Sequence, residues 1–451
     1  MSRAAIDPED VRAPATKGQV VAWASWDWGS AAFNAVLTTF VFSVYLTTSV
    51  GADLPGDTSA TTWLSWAIGI AGFFVAVLAP VMGQRSDAAG HRRRSLAIWT
   101  TLVVLASFGL FFVQNNYHYL WFGLVLLAFG TVCFELASVP YYAMLRQVST
   151  PSNIGRISGL GWGAGYLGGI FLLLFCYTGF IVGDGPTRGF FGVSTENGFN
   201  IRIIALLAAV WFAVFALPVF FKVPEIHGAP EATRRKNFFA SYKDLWLNLK
   251  DLYQSDRDVL RFLIASAFFR DGLAAIFTFG AVLASTVYGI PAGDVLIFGV
   301  AANIVSAIGA FTAGRFDDKF GPKPVIVLCL TGLIITAIIL LFVSGPTMFW
   351  IFGLILTLFV GPAQASARSY VARIAPLGRE GQIFGLYQTT GRAVSFIAPT
   401  LFGLFITIFH ADRAGIVGII LVLVVGLGLL LRVRPARDKA LADHEVDAQS
   451  P

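Results

Sequence analysis

Charge is scarce in this chain. Only 13% of its 451 residues are Asp, Glu, Lys or Arg, about half the share of an ordinary soluble domain, which excludes a hydrated globule of this length. Cysteine is scarcer. Cys133, Cys176 and Cys329 all lie in apolar runs with no C-x-x-C or metal-type spacing, so neither a disulfide framework nor a thiolate metal site is expected. The five histidines, His91, His118, His227, His410 and His444, avoid the centres of those runs and form no ligand cluster. No cofactor and no metal is therefore expected. There is no G-x-x-x-x-G-K-S/T phosphate loop, so an ATP-driven pump is not indicated. There is also no H-E-x-x-H, Ser–Lys or paired-Asp constellation, which argues against a membrane-embedded enzyme. The net charge is +6, but the basic residues punctuate apolar runs and form no stripe, so nucleic acid is not an expected partner. The N-terminal stretch carries Asp7, Glu9 and Asp10 and lacks the apolar core of a cleavable signal peptide.

Apolar residues are abundant, at 56%. A helix needs about 20 of them in a row to cross the hydrocarbon of a bilayer. Twelve such runs are present: 19–46, 61–82, 95–114, 118–145, 156–182, 200–221, 259–287, 292–313, 324–343, 347–372, 381–409 and 412–432. They are numbered here as spans 1 to 12. Some are joined by turns as short as "QNNY" (Gln114–Tyr117) and "SGPT" (Ser344–Thr347). With the N-terminus placed in the cytoplasm, the outward gaps hold only Arg188, Arg202 and Arg413, and Arg270 and Arg392 fall within spans. The other 27 of 32 basic residues lie at or inside the cytoplasmic edge. The bias of Lys and Arg toward the cytoplasm thus predicts that both termini are cytoplasmic.

The longest polar segment divides the chain: a tail at 1–18, a first half at 19–222, a linker at 223–258, a second half at 259–432 and a tail at 433–451. Within the linker, Phe238, Phe239, Tyr242, Leu245, Trp246, Leu249, Leu252 and Tyr253 recur at helical spacing. Lys236, Lys243 and Lys250 lie on another face. The pattern predicts an amphipathic helix, either lying in the cytoplasmic interface or docked on the protein's own helix ends.

The two halves echo each other. Gly83, Asp87, Gly90 and Arg92 have the same spacing as Gly314, Asp318, Gly321 and Lys323, and both sets join the second and third spans of a half. "GRISGLGWGAG" (Gly155–Gly165) and "GQIFGLYQTTG" (Gly381–Gly391) share Gly, Ile, Gly and Gly at equal spacing and open spans 5 and 11. The step from Gly83 to Gly314 is nearly the same as that from Gly155 to Gly381, which indicates an internal duplication. Glycine allows a tight turn and close helix approach, an Asp suits an unsatisfied helix N-terminus, and the basic residues hold the loop in the cytoplasm. The motif reads as a latch and an anchor.

Twelve spans, a central linker and G-x-x-x-D-x-x-G-x-R/K in both halves resemble the major facilitator superfamily. The resemblance implies an all-α polytopic membrane protein, with twelve transmembrane helices in two pseudo-twofold-related six-helix bundles that alternate access to a central cavity. It also implies that Asp87 steadies one closed conformation by engaging the other bundle near span 11. A narrower likeness is carried by "WASWDWGSAAFNAVLTTFVFSVYL" (Trp23–Leu46), "GLGWGAGYLGG" (Gly159–Gly169), "FRDG" (Phe269–Gly272), "QASARSYVARIAP" (Gln364–Pro376) and "FGLY" (Phe384–Tyr387). These are similar to the autophagy-related vacuolar amino-acid effluxers and their bacterial relatives. Trp28 and Arg392 depart from that branch's pattern.

An ionisable residue within a span is costly unless paired or wet, and it marks function or fixed pairing. In the superfamily's layout spans 1, 4, 7 and 10 line the cavity, which puts Asp27, Glu135, Arg270, Asp271, Gln364 and Arg368 there. Arg392 lies within span 11. Asp27 or Glu135 is the expected proton-coupling carboxylate, and fixed ion pairing between bundles is the alternative. Trp28, Tyr166, Tyr387 and Gln388 are the candidates for solute contact, and Trp23 is expected to anchor span 1 at the interface.

The functional expectation is a secondary transporter of a small solute, an amino acid or related metabolite, in the plasma membrane. It would be proton-coupled, active as a monomer, and not an enzyme. A cation-coupled sugar symporter of the same fold is disfavoured because "AVLAPVMG" (Ala76–Gly83) lacks the acid such relatives carry on span 2. A non-transporting receptor remains a separate reading.

Overall fold

A computed structural model describes residues 15–225, 238–255 and 257–435. Twelve of its helices are long and apolar enough to cross a membrane. They run Lys17–Val50, Ala60–Ala89, Arg92–Phe112, Tyr117–Val148, Ile154–Ile181, Glu196–Lys222, Arg257–Thr286, Ile297–Phe320, Pro322–Phe342, Pro346–Ile374, Glu380–Phe409 and Asp412–Leu431, and correspond one for one to spans 1 to 12. Large apolar side chains such as Trp66, Phe73, Phe129, Val210, Leu328, Ile338 and Phe409 are exposed on the perimeter. That is the inside-out surface expected of a protein whose solvent is lipid.

Span 1 packs on spans 5 and 6, span 4 on 2 and 3, and span 3 on 6. In the second half span 7 packs on 11 and 12, span 10 on 8 and 9, and span 9 on 12. The halves meet through span 2 against 11 and span 5 against 8. Exchanging each span for its counterpart in the other half, 2 for 8 and 11 for 5, turns the first of these contacts into the second, so the two seams are related by the duplication. A short hairpin, β1 (Thr187–Arg188) paired with β2 (Val193–Ser194), joins spans 5 and 6.

Spans 1 and 11, which read as continuous in sequence, are interrupted near their middles. Span 1 widens into a π-helix over Ala32–Phe40, where the hydroxyls of Thr38 and Thr39 both donate to the Asn34 carbonyl. Span 11 breaks between Val394 and Ile397. Pro399 accounts for the second break, because its ring clashes with the carbonyl four residues earlier and it offers no N–H. The linker holds a helix, Phe238–Ser255. The Tyr242 hydroxyl donates to Val77 O on span 2 (3.0 Å), and Leu252 is buried while Trp246 and Tyr253 are exposed. This helix therefore docks on the protein with an apolar edge outward. Lys236 lies outside the described residues.

Candidate functional site

The seams are tight at the face where span 1 begins and span 12 ends, termed here the terminal face. Asp87, at the end of span 2, accepts from the backbone N–H of Gln382 at the start of span 11 (2.8 Å), where a helix presents unsatisfied donors. Arg92 bonds both Asp87 (2.6 Å) and Glu380 (2.5 Å), and Arg146 reaches Glu380 (3.4 Å) and Ala375 O (2.7 Å). The second motif copies the arrangement. Asp318 accepts from Gly155 N (2.7 Å) at the start of span 5 and pairs with Arg156 (2.8 Å). Arg373 pairs with Asp317 (3.3 Å) and donates to Pro151 O (3.0 Å). Gly90 adopts φ +65° and Gly321 φ +85°, turns that favour glycine. Lys323 does not follow Arg92. It donates to the carbonyls of Leu431 and Val433 at the end of span 12, so it ties its own bundle together and does not cross the seam.

The approach at this end leaves no room for side chains. A Cβ built on Gly83 would lie 2.0 Å from the Gly381 carbonyl oxygen, and one on Gly159 would lie 2.3 Å from Ala310 O, the latter close to Gly314 Cα as well. Farther along the same helical faces the seams part. Thr389 Oγ1 still donates to Ala76 O (2.9 Å), but Cβ atoms on Gly69 and Gly299 would meet nothing within 4 Å. The two bundles thus form a V, sealed at the terminal face and open at the other.

The in-span charges cluster where the V begins to open. Arg368 is fully buried and donates to Ser158 O (2.7 Å), Ser158 Oγ (3.1 Å) and Asp27 Oδ2 (3.0 Å). Trp23, Tyr141, Tyr142 and Trp162 surround its guanidinium at 4.9–5.9 Å, so aromatic faces supply part of the solvation that water would otherwise give. Asp27 retains 14% side-chain exposure. Gln364 is half-buried one turn before Arg368 on span 10.

A second group joins spans 4, 7 and 11. Glu135 pairs with Arg392 and accepts from Gln388 Nε2 (2.6 Å). Gln388 Oε1 in turn accepts from Arg270 Nη2 (2.9 Å), while Arg270 Nη1 donates to Tyr387 O (2.9 Å) and the guanidinium lies 3.8 Å over the Tyr387 ring. Tyr142 lies within electrostatic reach of Asp27, Arg368, Glu135 and Arg270, and so stands between the two groups.

Several sequence expectations change here. Trp23 is not an interface anchor. It is 0% exposed, stacks on Tyr141 at 4.7 Å and donates its indole N–H to Tyr141 O (3.1 Å). Trp28 faces away from the cleft, packed with Phe171, Trp211 and Phe215 of spans 5 and 6. Asp271 is buried and caps the second half of span 11 by accepting from Ala398 N (2.7 Å), which removes it from the cleft charges. Tyr387 and Gln388 are buried at the floor of the cleft, and Tyr166 stacks across it on Phe277 of span 7 (6.3 Å). Sequence reading passed over Glu380, Arg146, Arg373, Asp317 and Ser158. The duplication held a signal for two of them, since the step from Arg146 to Arg373 nearly equals that from Gly155 to Gly381.

A family model described as vacuole effluxer Atg22 like matches residues 54–443. The chain belongs to this family. Among proteins of similar sequence, the uncharacterized MFS-type transporter YxiO of Bacillus subtilis is 24% identical over 412 residues, covering 90% of this chain and 93% of that protein. Autophagy-related protein 22-1 of Aspergillus fumigatus is 24% identical over 310 residues, covering 63% of this chain and 49% of that protein. The chain thus spans about half the length of the fungal relatives it matches. Among solved structures, the proton:xylose symporter XylE superposes with a TM-score of 0.74 at 14% identity, over 94% of this chain and 98% of that one. FucP in the outward conformation superposes at 0.68 and 13% identity, over 93% and 100%. At such identities the fold is what is shared. The Atg22-like chain is a major facilitator superfamily transporter of twelve membrane-spanning helices.

Proposed function

We propose that this protein is a proton-coupled secondary transporter that exports a small solute, an amino acid or related metabolite, across the plasma membrane by alternating access. In this reading the chain works as a monomer, both termini are cytoplasmic and the sealed face is the inner one, so the structure is the outward-facing state. The family's description as effluxers supports the direction. The bias of basic residues supports the orientation.

The observation that carries the reading is the Asp27–Arg368 pair, which crosses between bundles at the point where the seam opens. Removing the charge of Asp27 strands a buried guanidinium, at a cost of about 3–5 kcal/mol. That cost is relieved when the bundles part at the terminal face and water reaches Arg368. A proton arriving on Asp27 from the open cleft therefore weakens the sealed conformer and favours the opposite one, which makes proton movement and conformational change one event.

The test uses purified protein in proteoliposomes. Counterflow of labelled amino acids is expected for a carrier and not for a receptor. Asp27→Asn is expected to fold and to lose the dependence of transport on a pH gradient. Unchanged gradient dependence in that variant rejects Asp27 as the coupling group.

A further inference from the structure

The second charge group is unbalanced. It holds two guanidiniums, Arg270 and Arg392, and one carboxylate, Glu135. Arg392 takes that carboxylate. Arg270 is bonded to two neutral oxygens, the Tyr387 carbonyl and the Gln388 side chain, and pairs with no carboxylate among the described residues. The acid next to it in sequence, Asp271, is committed to Ala398 N. A cation at this depth ordinarily has a counterion, because neutral acceptors leave much of its desolvation cost unmet.

The position is reachable. Arg270 is only half-buried, the neighbouring Glu135 and Arg392 keep 17% and 29% side-chain exposure, and the Arg270 guanidinium lies against the bare backbone of Gly391, where a Cβ would come to 3.0 Å from Nη1. Across the cleft on span 5, Trp162 Nε1 and Tyr166 Oη are buried without a hydrogen-bond partner. Tyr166 meets Phe277, two turns along span 7 from Arg270. Idle donors of that kind in a native site call for an explanation.

We infer that Arg270 is the subsite for a carboxylate carried by the transported solute, with Gln388 and the Tyr387 ring holding its guanidinium in place. The planar fork of Arg matches a carboxylate through two parallel hydrogen bonds. Binding would supply the missing negative charge, bring two guanidiniums and two carboxylates into balance, and leave Glu135 facing any cationic group of the same solute. This inference rests on the transporter reading, because it names what enters the cleft.

The experiment measures thermal stabilisation of the purified full chain by the proteinogenic L-amino acids, by their carboxamides and by neutral hexoses. A bound ligand raises the apparent stability of the folded state. At least one amino acid is expected to stabilise the wild type and its carboxamide to fail. Arg270→Gln is expected to weaken that amino acid by about ten- to a hundredfold, and Arg270→Lys to weaken it less. Three results overturn the inference: a carboxamide that matches its acid, an Arg270→Gln variant that keeps the acid's affinity, or a wild type that no carboxylic acid stabilises. Counterflow separates the two readings. Exchange of a neutral hexose alone leaves the carrier and removes the subsite. Acid binding without exchange of any solute leaves the subsite and removes the carrier.

Discussion

Substituting Gly83 by Ala tests whether the sealed end of the V sets the conformational equilibrium. The added Cβ would lie 2.0 Å from the Gly381 carbonyl oxygen and 2.5 Å from its carbon. Ordinary van der Waals contact begins at 3.4 Å, and the obstacle is backbone, so no rotamer relieves it. Spans 2 and 11 must separate. A parting large enough to restore that contact takes the Asp87–Gln382 hydrogen bond from 2.8 Å past hydrogen-bonding range. Overpacking of this kind costs about 1–3 kcal/mol, which changes the ratio of two conformers about 5- to 150-fold. Only the conformer sealed at the terminal face bears the cost, because in the alternative spans 2 and 11 are apart there. Helix propensity favours Ala by about 1 kcal/mol in both conformers, so folding is little affected while the ratio moves. The three native cysteines are buried, which leaves a clean background for spin labels at the exposed Asp184 and His410, one on each bundle at the open face. The distance between them is expected to shorten in the Gly83→Ala variant. A folded variant with the wild-type distance distribution would refute the reasoning, because the clash would then have been absorbed without moving the bundles.

Two further substitutions examine the places where structure and sequence part. Trp23→Ala should lower thermal stability in detergent by about 3–5 kcal/mol, the usual cost of emptying a large buried aromatic site; a loss near zero would restore the interface-anchor reading. Asp271→Ala should cost about 0.5–2 kcal/mol through loss of the cap on the second half of span 11, measured by thermal melting, and leave solute affinity unchanged. A large loss of affinity at unchanged stability would return Asp271 to the cleft.

The spans were legible because crossing a bilayer imposes a one-dimensional rule, about 20 apolar residues, that needs no partner. The span 11 break was written less plainly. The run 381–409 read as continuous despite Pro399, and the Asp271 cap that stabilises the break lies 127 residues away. In-span charges could be found from sequence, yet their pairings could not, since Asp27 meets Arg368 across 341 residues. Trp23 misled for a related reason. Tryptophan at a span end ordinarily seeks the interface, and this one is buried because Tyr141 and Arg368, both far off in sequence, stack on it and Tyr141 O takes its indole N–H.

The duplication also predicted more symmetry than the molecule has. It correctly places Asp87 and Asp318 at equivalent helix N-termini and suggests Arg146 and Arg373 as equivalents. The extra carboxylates differ. The register that aligns Gly83 with Gly314 sets Asp317 against Ser86, and the one that aligns Gly155 with Gly381 sets Glu380 against Ile154. On the seam between spans 2 and 11 the added acid stands across from Arg92 and Arg146, so that ion pairing itself crosses the bundles. On the seam between spans 5 and 8, Asp317 holds Arg373 from within its own bundle, and the crossing is made by Asp318, on Gly155 N and the largely exposed Arg156, and by Arg373 donating to Pro151 O. When the bundles separate, the first lock loses two buried pairs, Glu380 with Arg92 and with Arg146, whereas the second loses only the Asp318–Arg156 pair, whose arginine is more than half exposed and so contributes less. The second keeps its Asp317–Arg373 pair, because that pair moves as one body. Two copies of one motif thus give two locks of different strength, and the seam between spans 2 and 11 carries more of the resistance to opening.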